Sequence, residues 1–164
     1  MTSLAFDSTC DLYDQHEATA RVLAGQYRDL GGRRRFSGVA VTVKCFEDNS
    51  RVKELLGTPG QGRVLVVDGG GSLRAALMGD LIAKDAVKNG WEGVVIHGAV
   101  RDSAVLVTLD LGVRALGTTP RKTVRNGEGQ KDLAITIDGV RVSPGDHVYV
   151  DEDGVLVLDP ATAT

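Results

Sequence analysis

From residue 36 to 46 the chain reads FSGVAVTVKCF, with Val39, Val41 and Val43 on alternate positions. A period of two puts those valines on one face of a β-strand. The next apolar stretch, RVLVVDGGG at 63–71, does not alternate and runs straight into three glycines. A strand buried on both faces reads this way, and such strands sit inside parallel sheets. GVVIHGAV at 93–100 repeats the pattern, and a shorter apolar run extends from Leu109 to Leu116. Between the strands, NSRVKELLG predicts a short helix ended by Gly57. A nine-residue helix is predicted after Gly79, with Asp80 as its cap and Asn89-Gly90 as its stop.

Other segments are less regular. Residues 8–28 read as helical segments, with Ser8 or Thr9 as cap and Leu12, Tyr13, Val22 and Leu23 as apolar positions, stopped by Gly31-Gly32. SLRAALMG at 72–79 fits either a strand or a helix. TTPRKTVRNGEGQK at 118–131 is polar, rich in turn residues, and predicts an exposed, mobile loop. The last third, DLAITIDGVRVSPGDHVYVDEDGVLVL, alternates again, with Asp138-Gly139 and Asp153-Gly154 at its turns. These are hairpin signals for antiparallel strands. The pattern describes an α/β core joined to a β-meander in a single domain, residues 1–164, without internal repeat or linker.

Composition narrows this picture. Aromatic residues are only 4% of the chain against 42% apolar, so the core is built from aliphatic side chains. A net charge of −3 gives no general attraction for nucleic acid or an anionic membrane, so direct nucleic-acid binding and membrane association are not expected. Arg33-Arg34-Arg35 lacks interleaved aromatics and reads as a solvated face or a subunit contact. Cys10 and Cys45 lack CxxC spacing and a histidine cluster, which argues for free thiols over a disulfide framework or a zinc site. The N-terminal MTSLAFDSTCDLYDQ has no basic leader before an apolar run, and no segment approaches a membrane span, so a cytoplasmic protein is expected. His97, alone in an apolar strand, reads as a satisfied core residue. Arg121 and Lys122 read as surface charge, with closure on an anionic substrate as the other reading.

The chemistry concentrates in GDLIAKDAVKNGWEGVVIHGAVRD, where Asp80 opens a helix and Arg101-Asp102 closes the next strand. A helix leading back to a neighbouring strand runs antiparallel to it, so its N-terminus and that strand's carboxyl end share one edge. Ligands of α/β sheets bind at that edge, and helix N-terminal amides hold anions. Amides from Gly79 through Leu81 to Ile82 can therefore hold a carboxylate, and a small 2-keto acid is one candidate to place there. Asp102 offers an oxygen ligand to a hard divalent cation, Mg²⁺ or Mn²⁺, that the keto acid also chelates. Arg101 can stabilise an enolate oxygen, and Asp80 can orient a water that carries a proton. The other reading makes Asp80 a helix cap and Arg101–Asp102 a surface ion pair.

VKCFEDN, VLVVDGGGSLRAAL, WEGVVIHGAVRD, ALGTTPRK and PGDHVYVDEDGV together resemble the RraA-like family, over roughly residues 7 to 158. That family includes the regulator of ribonuclease activity A and the class II 4-hydroxy-4-methyl-2-oxoglutarate aldolases. The resemblance implies a three-layer β/β/α fold of the swivelling-domain type, assembled as a ring-shaped homotrimer with sites between subunits. In the family, an Asp-x20-Arg-Asp pattern marks members that release pyruvate from aldols and decarboxylate oxaloacetate with a divalent metal. Asp80, Arg101 and Asp102 match it. By the same resemblance Gly79, Asp80, Leu81 and Ile82 contact substrate, Arg101 binds it, and Asp102 ligates metal. The alternative is a non-catalytic regulator that docks on ribonuclease E. Longer aldolases of the family add an acidic residue from a neighbour's C-terminal extension, whereas this chain runs only four residues past Pro160. Asp151, Glu152 or Asp153 are candidate substitutes for it. The family has also carried a menaquinone methyltransferase label, but VVDGGG fails the GxGxxG spacing because Arg74 takes the last place.

Overall fold

The computed structural model describes residues 4–162; residues 1–3 and 163–164, the ends of the expected domain, lie outside the described residues. In chain order the elements begin with helix α1 (Thr9–Gln15) and two short strands, β1 (Arg21–Leu23) and β2 (Arg28–Asp29). Strand β3 (Phe36–Lys44), helix α2 (Ser50–Leu56) and strand β4 (Val64–Asp68) follow. Next come helix α3 (Asp80–Lys88), strand β5 (Gly93–Val100), helix α4 (Ser103–Leu106) and strand β6 (Gly112–Thr118). Strands β7 (Gln130–Lys131), β8 (Ile135–Ile137), β9 (Val140–Val142), β10 (His147–Asp151) and β11 (Gly154–Leu158) complete the chain.

Strands β3, β4, β5 and β6 lie side by side in parallel. Their side chains alternate between two cores. Leu65, Val67, Val94 and Ile96 pack with Val52, Leu56, Ala83 and Leu106 of the helices. Val64, Val66 and Val95 face the other way, against Val148, Val150, Val155 and Val157. No face of the sheet meets water, which is why the apolar runs are unbroken. Each such aliphatic side chain contributes roughly 1.5–3 kcal/mol through burial. Leu65→Ala, at a fully buried position, would cost about 2–5 kcal/mol.

Strand β3 belongs to both halves of the structure. Phe36 to Val39 pair antiparallel with β10, and Ala40 to Lys44 pair parallel with β4. Gly38 lies near the changeover, where a Cβ would sit 2.4 Å from the Gly62 carbonyl oxygen. Helices α2–α4, the parallel strands and the antiparallel β1-β11-β10 ribbon form the expected three layers, with the β8–β9 hairpin packed into the second core. Helix α1 covers the outer face of that ribbon through Leu12 against Tyr149, Leu156 and Leu158.

Three expectations change. Only Thr9–Gln15 of residues 8–28 is helical, with Ser8 Oγ accepting the Asp11 amide at 3.0 Å as its cap. Arg21–Leu23 and Arg28–Asp29 instead pair with β11 and β6 at the two sheet edges, where open ladder groups outweigh local helical preference. Asp80 is not the helix cap: Gly79 holds that position, and no side chain of its own caps the helix. SLRAALMG is neither helix nor regular strand, but reaches the sheet through isolated bridges from Ala76 to Ala99 and Lys122. The apolar run at 109–116 becomes a strand only from Gly112, extending to Thr118. No helix among the described residues is long and apolar enough to cross a membrane.

Candidate active site

Strand β5 changes register against β6 between Ile96 and Ala99. Residues 77–78 run alongside its end: the Leu77 amide donates to the Ala99 carbonyl at 2.8 Å, and the Arg101 amide to the Met78 carbonyl at 2.9 Å. This rung delivers Gly79 directly onto Arg101 and Asp102. A Cβ on Gly79 would lie 2.7 Å from Asp102 Oδ2 and 3.3 Å from Arg101 Nε. The close approach favours glycine here, although its backbone is ordinarily extended.

The missing cap of α3 comes from across the chain. Asp102 Oδ2 accepts the Asp80 amide at 3.0 Å, placing a carboxylate at the positive end of the helix. Asp102 itself is left-handed, at φ 60° and ψ 38°, a conformation that aspartate tolerates better than most residues. Its carbonyl meanwhile accepts the Val105 and Leu106 amides, both at 2.9 Å, and so starts α4. One residue serves two helices, through backbone for one and side chain for the other.

Arg101 makes no tight ion pair. Its Nε is 4.0 Å from Asp102 Oδ2, and Nη1 donates to the Pro120 carbonyl at 3.4 Å. Its side chain remains 39% exposed, so guanidinium N–H groups are left for a ligand. Asp80 faces Lys84 Nζ at 3.5 Å. Partial desolvation pushes the Asp80 carboxyl up, but Asp102, Lys84 and the Leu81 amide outweigh it and hold it below the usual carboxylate range. The Ile82 side chain is in the core at 5% exposure, whereas Leu81 projects outward at 73%. Since Asp102 occupies the Asp80 amide and the Asp80 carboxylate draws on that of Leu81, the Ile82 amide is left to receive an anion.

Gly79, Asp80, Leu81, Ile82, Arg101 and Asp102 thus line one cleft of about 60 Å³. A wider concavity of about 410 Å³ opens beyond Arg101 and Asp102, over Ser103 and Thr118 to Pro120. The opposite wall of the cleft is Asn49, Lys122, Thr123 and Arg125, and it adds two cations. Sequence reasoning missed Asn49 and Arg125 and favoured surface charge for Lys122. Asn49 is 4% exposed, and its Oδ1 accepts Thr123 Oγ1 at 2.8 Å and Arg125 Nε at 3.0 Å. The available signal was a polar pair, Asp48-Asn49, just past the carboxyl end of a parallel strand, the ligand edge of such sheets.

The remaining singled-out residues lie elsewhere. His97 sits with Nε2 3.3 Å from Asp138 Oδ2, outside the cleft lining. Arg33 pairs with Glu92 and Asp110, and Arg34 with Asp29. Cys10 and Cys45 are free thiols, and burial pushes the Cys45 thiol up to about 12. The glycines after β4 pack on protein: a Cβ on Gly70 would meet the Phe46 ring at 2.8 Å, and one on Gly69 the His97 carbonyl at 2.7 Å. They form no open cradle for a nucleoside cofactor.

Among the described residues no group of three or more His, Cys, Asp or Glu is placed to hold a metal. A single carboxylate with a second one beside it still fits Mg²⁺ or Mn²⁺, ions that keep several waters and take further oxygens from substrate. The set lacks the thiolates and imidazoles of a structural zinc site.

Carboxylate, arginine and helix N-terminal amides at the carboxyl end of a parallel strand could hold a small anion together with a hard cation. The chain belongs to the RraA-like (Aldolase/RraA) family, whose model matches residues 9–157. A protein of Alcanivorax borkumensis, provisionally named 4-hydroxy-4-methyl-2-oxoglutarate aldolase, is 56% identical over 93% of this chain and 96% of its own. The RNA-processing inhibitor RraA from Thermus thermophilis matches at a TM-score of 0.91 and 43% identity, covering 94% of each chain. A Geobacillus kaustophilus structure described as an S-adenosylmethionine:2-dimethylmenaquinone methyltransferase also matches at a TM-score of 0.91, with 46% identity over 93% of this chain and 95% of that one.

Proposed function

We propose that the protein is a divalent-metal-dependent lyase that cleaves 4-hydroxy-4-methyl-2-oxoglutarate to pyruvate and decarboxylates oxaloacetate through the same pyruvate enolate. The observation that carries this reading is Asp102 seated 3.0 Å from the first amide of α3, with Arg101 beside it in one cleft. The name of the 56% identical relative points to the same substrate.

The Ile82 amide receives the carboxylate of the 2-keto acid, and the guanidinium of Arg101 faces its 2-oxygen. Asp102 would hold Mg²⁺ or Mn²⁺, which supplies Lewis-acid polarisation of that oxygen when bound. As the C3–C4 bond breaks, its electron pair moves toward C3 and the 2-oxygen, where Arg101 offsets the developing charge. Asp80, ionised at neutral pH, orients a water that takes the proton of the 4-hydroxyl and returns it to C3. Two pyruvates leave. With oxaloacetate the same enolate forms as carbon dioxide departs, and C3 takes its proton from the water.

The cleft is small beside the roughly 300 Å³ and more of ordinary ligand pockets. Leu81 and Val124, at 73% and 68% exposure, project beside it. A homotrimer in which the neighbouring subunit covers this rim accounts for both features. Light scattering that gave only monomer at micromolar concentrations would remove the shared-site element.

A coupled assay for pyruvate tests the activity, with Mg²⁺ or Mn²⁺ and after chelation, corrected for decarboxylation in free solution. Pyruvate release no faster than the solution rate for both substrates would sink the lyase reading. The likeness to an RNA-processing inhibitor supports a second reading, docking on a ribonuclease E-type enzyme. Docking needs no chemistry at Asp102, so Asp102→Asn would keep ribonuclease inhibition while losing pyruvate release.

A further inference from the structure

The 118–131 segment is exposed and almost without regular structure, yet it carries two of the three cations of the cleft. The Ala76 amide bonds the Arg121 carbonyl and β3 pairs with residues 130–131, and between them residues 126–128 are held by side chains from the start of α2. Asp48 is 3% exposed, and its Oδ2 accepts the Asn126 amide at 2.7 Å and the Glu128 amide at 3.3 Å. Its Oδ1 accepts the Ser50 amide at 2.9 Å and Ser50 Oγ at 2.5 Å. Ser50 Oγ in turn accepts the Gly127 amide at 3.0 Å. Three consecutive loop amides are therefore satisfied from the start of α2, which does for this loop what a strand partner would do. Asn49, the next residue, fixes Thr123 and Arg125 from the same turn.

We propose that Asp48 is a positioning residue, whose carboxylate holds residues 126–128 of the loop so that Arg125 stands over the cleft and attracts an anionic substrate. The proposal rests on the lyase reading for the identity of that substrate. Burial works against ionisation of Asp48, but its hydrogen bonds outweigh it and hold the carboxyl at about 2, so the clamp is charged throughout the working range of pH. Asp48 touches no reacting atom. Its loss acts on attraction of the substrate, which is felt alike in the bound and transition states, and so falls on KM and not on kcat.

Asp48→Asn keeps the shape but replaces one acceptor oxygen by an NH₂ donor, which cannot accept the amides that met that oxygen. Two measurements on the full chain read the effect: the rate of trypsin cutting after Lys122 and Arg125, and KM and kcat for oxaloacetate with Mg²⁺. Cutting is expected to accelerate about tenfold and KM to rise about tenfold, with kcat within about twofold of wild type. Ser50→Ala, a milder change that removes the Gly127 contact, should move both quantities the same way and decides the matter if Asp48→Asn does not fold. Unchanged cutting overturns the clamp. Faster cutting with unchanged KM overturns the positioning role. A wild-type chain that releases no pyruvate sinks the lyase reading instead, and trypsin cutting alone then supports or overturns the clamp.

Discussion

Gly79→Ala adds one methyl group and separates the site from the fold. The Gly79 backbone is extended at φ −124° and ψ −164°, so alanine brings no backbone strain. Its Cβ would stand 2.7 Å from Asp102 Oδ2, and ordinary contact begins at 3.4 Å. The carboxylate must therefore retreat by about 0.7 Å. Because that oxygen ends a side chain 37% exposed, it can swing outward without moving the sheet. The stability cost is then limited to about 1 kcal/mol, from a poorer N-cap residue and a weakened cap bond, or roughly 2–4 °C in Tm. Activity should suffer far more. The retreat stretches the 3.0 Å bond from the Asp80 amide and displaces the proposed metal donor. A misplacement near 1 Å costs about 100-fold in rate. Pyruvate release from oxaloacetate, titrated against Mg²⁺ and set beside a thermal melt of each protein, measures both effects. Near-normal turnover with an unchanged metal requirement would refute the reasoning, and so would a Tm loss above about 10 °C, which would mean that the contact holds the fold together.

Three further outcomes are expected. Arg101→Lys keeps the charge but loses the planar fork, so turnover should fall about 100-fold or more; near-normal turnover would reduce Arg101 to a structural partner. Asp102→Asn still offers an oxygen to the Asp80 amide, so the fold and the proposed trimer should persist. Mg²⁺ should bind more weakly by more than the roughly 10–100-fold that losing an outer-shell partner costs, with partial recovery at high metal, and an unchanged metal titration would remove Asp102 from the mechanism. Asp48, lowered from 3.8 to about 2 in the folded chain, stabilises the protein above pH 4 and loses that contribution as pH falls through about 2. The contribution is about 2 to 3 kcal/mol at most, and it should appear as a Tm gap between wild type and Asp48→Asn that narrows from pH 5 to pH 2; a gap of constant width would contradict it.

The sequence by itself determined the parallel core and the closing hairpins. Runs such as VLVV and GVVIHGAV can be satisfied only where both faces of a strand are covered, and Asp138-Gly139 and Asp153-Gly154 suit tight turns whatever surrounds them. It also carried Gly79, Asp80, Arg101 and Asp102, because a helix returning to its strand must bring its N-terminus to that strand's end. Tertiary structure decided the rest. Arg21–Leu23 became a strand because β11 offered an open ladder, a partner more than 130 residues away that no local pattern records. Gly79 took the cap position from Asp80, and the side chain that caps the helix is Asp102, from the end of β5, which lies close against Gly79. The 118–131 loop reads as free polar chain, yet Asp48 and Asn49 bind it down, and Lys122 and Arg125 line a wall of the cleft. Hydrogen bonds between residues some 75 positions apart depend on where the sheet places both ends, and that placement exists only once the strands have paired.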